Sequence, residues 1–401
     1  NPELTKNVNF FTGGFQSKYG DKMSSVLDIQ YKKPVNFAGS VYISLLEQGL
    51  NLEGSAKKGA ITYLAGVRNK SNRNLLSSQP VQGAYIPSAS DFQGYITYKI
   101  SSKLQLEILA ILSSSRFTYF PESVKKTSSV FSPLFSSNLG LDIYFEGQEK
   151  DRYTTSMTGA TLVHTVNKNL KLKWMFSRFK DDEKENYDIG GAYLFGDRDF
   201  DNSSSTFGQI VNPLGAGYYQ NYARNELNII IWNATHKGSL DKGRHFIQWG
   251  NSIEQTKIKD QLKQWEYQDS AGYSLPYNQP NLQLFNSQNS NTDLSIQKFS
   301  GYIQDNIHFL KSKYDITLQA GVRYNYNSLN KEFMISPRLQ ASWKPKWKKD
   351  IVFKTAAGIY NQPPFYRELR KYDGTLNTGI RSQKSLQFIA GMDYNFSGFG
   401  G

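Results

Sequence analysis

His164, His236, His245 and His308 are the side chains of this chain best suited to hold a transition metal or relay a proton. No two of them have the spacing of a helical or finger-type metal site, so they read as isolated polar residues on strands or turns. Asp197, Asp199 and Asp201 alternate in a way that could offer oxygens to calcium. The following residues depart from a calcium loop, with Asn202 where the glycine belongs and Gly208 where the closing glutamate belongs. A solvated acidic loop is the competing reading, and Asp181, Asp182, Glu183 and Glu185 read the same way, as a strand extension in water. Aromatic rings cluster at Tyr218, Tyr219 and Tyr222, at Tyr267, Tyr273 and Tyr277, and at Phe365, Tyr366 and Tyr372. Rings beside Asn and Gln can stack on sugars or chelators while the amides take hydrogen bonds, or they can pack loops together. None of these groups is a catalytic constellation. The chain is therefore expected to be no enzyme and to need no cofactor.

The elements that must carry these residues are strands. In residues 314–326, Tyr314, Ile316, Leu318, Ala320, Val322, Tyr324 and Tyr326 share one face, while Asp315, Thr317, Gln319, Gly321, Arg323 and Asn325 share the other. A tilted strand of about 9 to 11 residues crosses a bilayer, and an aromatic ring at each end suits its two interfaces. Leu170, Leu172, Trp174 and Phe176 repeat the pattern, as do Leu386, Phe388, Ala390, Met392, Tyr394 and Phe396. The connections alternate in length. Short ones are expected at residues 58–59, 101–103, 167–169, 241–244, 310–313 and 344–350, and long ones at 69–89, 121–152, 188–223, 266–293 and 361–383. Strict alternation puts all long loops at one end, as in an outer-membrane barrel with short periplasmic turns. The pattern supplies about fourteen strands, an even number as such barrels require.

The composition excludes helical spans without excluding a barrel. Of 401 residues 38% are hydrophobic and 20% charged, mean hydropathy is negative, and no apolar run reaches helical membrane length. A barrel strand puts only every second residue in lipid, so its average stays hydrophilic. The 26 Tyr and 25 Phe suit interfacial girdles. The lack of cysteine excludes a disulfide framework and leaves the redox compartment open. A net charge of +13 raises nucleic-acid binding, but the cations are dispersed. The densest group, Lys344, Lys346, Lys348 and Lys349, alternates with Trp343, Pro345 and Trp347 as a headgroup-level turn would. With no recognised motif beside the charge, nucleic acid is not an expected partner. Residues 1–8 show no targeting signal.

Several short segments together resemble TonB-dependent outer-membrane receptors, in forms common in Bacteroidetes. Near the start they are Gly13, Gly14 and Phe15, then Tyr19 and Gly20, then Ser25, Val26, Leu27, Asp28 and Ile29, similar to the last part of the plug domain. Later come Gly301, Tyr302, Ile303, Gln304 and Asp305, then Ser336, Pro337 and Arg338. Gly358, Ile359, Tyr360, Asn361, Gln362, Pro363 and Pro364 follow, with Arg367, Glu368, Leu369, Lys384 and Ser385. The resemblance implies an all-β protein: residues 1–34 as the C-terminal end of a plug domain, and residues 35–401 as the N-terminal part of a 22-stranded transmembrane antiparallel β-barrel. Most of the plug, the energy-coupling box and about the last eight strands would lie outside these residues.

It further implies a place in the outer membrane of a Gram-negative bacterium, lipid as surroundings, and a TonB-type energy-transducing protein as partner. The cargo would be a scarce nutrient such as an iron chelate, cobalamin, glycan or peptide; a surface lipoprotein partner stays open. Two other readings compete: a passive porin or adhesion-type barrel, and a soluble carbohydrate-binding β-protein. Residues 9–31 discriminate the first, since they should enter the lumen in a receptor and hang free in a porin. The faces of the strands discriminate the second.

Overall fold

In the computed structural model, which describes residues 1–76, 83–132, 135–269 and 283–395, the central strand forms at Tyr314–Asn327. Its faces have the accessibilities of a membrane strand and the reverse of a soluble one. Leu318 and Val322 are 37% and 39% exposed, while Gln319 and Arg323 between them are only 6% and 9% exposed. Water cannot stabilise that arrangement, because apolar area left in it costs roughly 25 cal/mol per Å². Hydrocarbon on the exposed side removes the cost.

Strands are numbered in chain order. β1 (Thr5–Phe11) and β2 (Val26–Tyr31) form an antiparallel pair of their own. The large sheet starts with β3 (Ala38–Ile43), β4 (Glu47–Ala56), β5 (Ile61–Ser71), β6 (Ala84–Lys99) and β7 (Leu104–Phe120). It continues through β8 (Val124–Ser132), β9 (Phe135–Thr165), β10 (Leu170–Arg198), β11 (Ile210–Lys242) and β12 (His245–Gln268). β13 (Gln283–Leu310), β14 (Tyr314–Asn327), β15 (Glu332–Pro345), β16 (Asp350–Gln362) and β17 (Gln383–Asn395) complete it. Successive strands are antiparallel neighbours from β3 to β17, except that β8 is a side branch paired to β9 alone. Helical structure is confined to short turns, at Pro2–Leu4, Arg73–Leu76 and Tyr366–Leu369. No helix among the described residues is long and apolar enough to cross a membrane, which says nothing against crossing by strands.

The short turns form where alternation predicts them. Between β11 and β12, Lys242 pairs with His245 across a two-residue turn in which Gly243 takes a φ of +67°, a conformation open to glycine. Three of the expected long loops are corrected. Residues 121–152 hold β8 and much of β9, residues 188–223 lie mostly on β10 and β11, and β12 and β13 reach into 266–293. The physical reason is that both faces of a strand are wet once it leaves the hydrocarbon. The apolar alternation then disappears although the backbone ladder continues.

The sheet curls with its polar face inward, and chain reach proves it. Gln387 on β17 donates to the Met23 carbonyl at 2.6 Å, and Tyr95 on β6 stacks on Tyr31 with ring centroids 5.1 Å apart. Only eight residues separate Met23 from Tyr31, a reach of about 28 Å. β6 and β17 are ten steps apart in the strand order, about 48 Å on a flat sheet. Even with side chains reaching in from both ends, one short segment touches both only if the sheet wraps around it.

Candidate functional site on the inner wall

The site follows from where the strands aim their odd and even residues. Inward positions on β13 to β17 hold the segment 13–23 through its backbone. The guanidinium of Arg338 donates to the carbonyls of Phe15, Gln16 and Tyr19 at 3.3, 2.7 and 2.7 Å. It also lies 4.9 Å from the ring centre of Phe15 and 4.3 Å from that of Tyr360. Gln340 donates to the Gly14 carbonyl, and Gln304 accepts from the Lys18 amide at 3.0 Å. Asn325 donates to Asp21 at 2.6 Å. Phe15 is fully buried, with its ring 4.8 Å from Tyr360 and nearly edge-on to it. Glycine permits the close approach: a Cβ on Gly321 would sit 2.7 Å from Ser17 Oγ, and one on Gly20 only 1.9 Å from Arg323 Nε. At the other end of the segment, Asn1 donates to Asn51 on β4 at 2.7 Å and Leu4 is buried.

Between this segment and the wall lies a cavity of about 190 Å³. Its charged lining is cationic at Lys18, Lys237, Lys298 and Arg323 and acidic at Asp21 and Glu254, with Tyr302, Asn325 and Asn327 adding neutral hydrogen-bonding groups. Lys298 and Glu254 pair at 3.2 Å. Such a surface is suited to small anionic or polyhydroxylated groups.

Residues 363–382 join β16 to β17 and fold back against the inner wall. Tyr366 and Leu369 pack on the inward side chains Leu227, Ile258 and Ile296 of β11, β12 and β13. Tyr366 and Arg370 both donate to Asp260, each at 2.7 Å. Arg367 bridges Glu183 and Glu185 on β10. Burial first, and then the bond to Asp260, pushes the Tyr366 phenol up to about 12, so it stays a neutral donor at ordinary pH.

The aromatic candidates are dispersed by the period of the strand that carries them. Tyr218, Tyr219 and Tyr222 lie on β11, not in a loop. Tyr219 shares the inner face with Phe145, 6.4 Å away between ring centres. Tyr218 donates to Glu146 at 3.0 Å, and Tyr222 stacks on Trp265 at 3.8 Å, both on the outer face. Tyr273 and Tyr277 fall outside the described residues, and Tyr366 is the buried anchor just described. Among the described residues no group of three His, Cys, Asp or Glu could hold a metal ion. Asp199 and Asp201 are occupied by local donors: Thr206 and the Asp201 amide at Asp199, and Ser203 at Asp201. Those bonds hold both carboxyls below the usual range. His164 and His236 flank the Trp174 ring, while His245 and His308 pair with Asp305 and Asp315.

Arg338 and Asp260 were not among the candidates. Arg338 meets backbone carbonyls, which leave no mark in the sequence. Asp260 had a local signal, a lone carboxylate on the face that also carries Ile258 and Leu262.

The family model described as TonB dependent receptor-like, beta-barrel, matches residues 113–401. Among solved structures, the chain is similar to the siderophore receptor PirA of Acinetobacter baumannii. Identity is 14% and the TM-score 0.59, over 98% of this chain and 56% of that one. A mutant of the ferric enterobactin receptor PfeA of Pseudomonas aeruginosa aligns at 14% identity and a TM-score of 0.62, over 99% and 56%. FpvA of the same organism, bound to heterologous pyoverdines, aligns at 12% and 0.53, over 98% and 51%. The chain thus spans just over half the length of these structures, and at such identities the likeness is one of fold. No curated protein matches.

Proposed function

The chain belongs to the TonB-dependent receptor-like β-barrel family, and on that premise we propose that it forms part of a receptor that takes up a scarce nutrient with energy supplied through a TonB-type protein. Barrels of this family lie in the outer membrane of Gram-negative bacteria, and this chain does so too. We read residues 1–34 as the end of a plug and residues 35–401 as barrel wall. The carrying observation is the inner wall itself: buried Gln304, Arg323, Asn325 and Arg338 face a segment seated in the lumen, while Leu318 and Val322 face out. A segment held by this many bonds supports a plugged lumen rather than an open pore.

The receptors similar in fold make a ferric chelate the first cargo to test, ahead of cobalamin, glycans and peptides. We place its contacts at the cavity beside Lys18 and Arg323 and at lumen-facing Tyr219, and leave a surface lipoprotein as a further partner. We assign the chain no catalytic step and no cofactor. In the intact protein, uptake of a radiolabelled cargo should stop when the TonB-type transducer is deleted. Unchanged uptake would contradict active transport and fit passive diffusion.

A further inference from the structure

Past the apolar band, the outward faces of β7, β9, β10 and β12 turn cationic. Register places Arg116 on β7 opposite Arg152 on β9, and Arg152 opposite Lys184 on β10, so three cations occupy one rung of adjacent strands. On β12, Lys257, Lys259 and Lys263 are exposed and alternate with buried Ile258, Asp260 and Leu262. Like charges directly opposite each other destabilise a sheet unless something neutralises them. The chain neutralises them little. Arg116, Arg152, Lys257 and Lys263 make no ion pair among the described residues, and the pairs of Lys184 with Glu226 and of Lys259 with Asp293 are exposed.

The signs are also sorted by face. Glu149, Asp151, Glu183 and Glu185 share these strands with the cations but occupy the inward positions. A face adapted only to water mixes both signs. This one selects against carboxylates, which is what a fixed layer of negative charge outside it would require.

Depth identifies that layer. Leu112 is the last large apolar residue on the outward face of β7, and Arg116 follows four residues later, about 13 Å along the strand and about 10 Å along the membrane normal after tilt. On β10, Phe176 is followed outward by Arg178, whose guanidinium lies 5.4 Å from the Trp232 ring, a pairing suited to the interface. The cations therefore begin where headgroups begin, at the end away from the short turns.

We propose that this face is a docking surface for phosphorylated lipid headgroups of the outer leaflet. The proposal rests on the outer-membrane reading, and the test separates their failures. The intact protein is inserted in phosphatidylcholine vesicles, and binding of lipid A is compared with that of dephosphorylated lipid A. Wild type should bind the phosphorylated form more tightly, less so as salt rises. The triple substitution Arg116→Gln, Arg152→Gln, Lys184→Gln should weaken binding on the order of 100-fold, while Arg116→Lys with Arg152→Lys restores most of it. All three sites are exposed, so insertion should not change. A second triple, Lys257→Gln, Lys259→Gln, Lys263→Gln, should show the same loss. Equal binding of both lipids, no loss in either variant, or competition by equimolar inorganic phosphate would overturn the proposal alone. Failure of wild type to insert would overturn the membrane reading with it.

Discussion

Replacing Arg338 by alanine is expected to release residues 13–21 from the inner wall and raise amide exchange at Gly14, Lys18 and Tyr19 by about two orders of magnitude. The argument starts from what the guanidinium does. It is 5% exposed and donates to three consecutive-turn carbonyls, two of them at 2.7 Å. Hydrogen bonds from a charged donor are worth roughly 1.5–3 kcal/mol each, and the orphaned carbonyls keep a desolvation cost until water reaches them. Two good bonds and the stacking on Phe15 and Tyr360 make a loss of about 3 kcal/mol reasonable, or a factor of about 100. Arg338→Lys should recover less than half of it, because an ammonium cannot span the three acceptors that the planar fork reaches. Insertion of the barrel should be unaffected, since the side chain points inward. Exchange unchanged in the alanine variant would mean the segment is held elsewhere.

Val322→Arg should lower the stability of the inserted barrel by about 2–4 kcal/mol, the cost of an arginine on the lipid side near the bilayer midplane. The contrast with its neighbour is what gives the result meaning. Arg323, one residue on, is already an arginine and is accommodated because its side chain lies against Gly20 and donates to Ser300 at 3.0 Å. Val322 has Ile303 and Pro337 beside it across the ladder and nothing over it. Denaturant titration in lipid measures the difference. A change within about 0.5 kcal/mol is what an ordinary water-exposed position would give, and it would remove the hydrocarbon from the account.

Much of the fold was readable because two solvents wrote it. Through residues 314–326 lipid demands apolar side chains at even positions while the lumen demands polar ones at odd positions, so period and face could both be inferred. Above the membrane that demand lapses on both faces. Hence the stretch around Glu183 and Glu185, and the tyrosines at 218, 219 and 222, looked like loop although they are paired strand. The same blindness made three nearby tyrosines look like one cluster, when a strand must send Tyr218 and Tyr219 to opposite faces. The inward fold of residues 363–382 left one trace, the apolar pair Tyr366 and Leu369 three apart in a polar loop. The plug-like segment was legible through its glycines, and the structure supplies their reason at Gly20. Its anchoring was not, because Arg338 binds carbonyls more than 300 residues earlier in the chain.

The central claim, that lipid bathes one face of each ribbon and a filled lumen the other, can be measured position by position. The chain has no cysteine, so single cysteines can be introduced at each of residues 315–326 in the intact protein and spin-labelled in bilayers. Labels at Ile316, Leu318, Ala320, Val322 and Tyr324 should be relaxed by oxygen dissolved in the hydrocarbon. Labels at Thr317, Gln319, Gly321, Arg323 and Asn325 should be shielded from oxygen, giving a period of two. Uniform accessibility, or the opposite phase, would contradict the account.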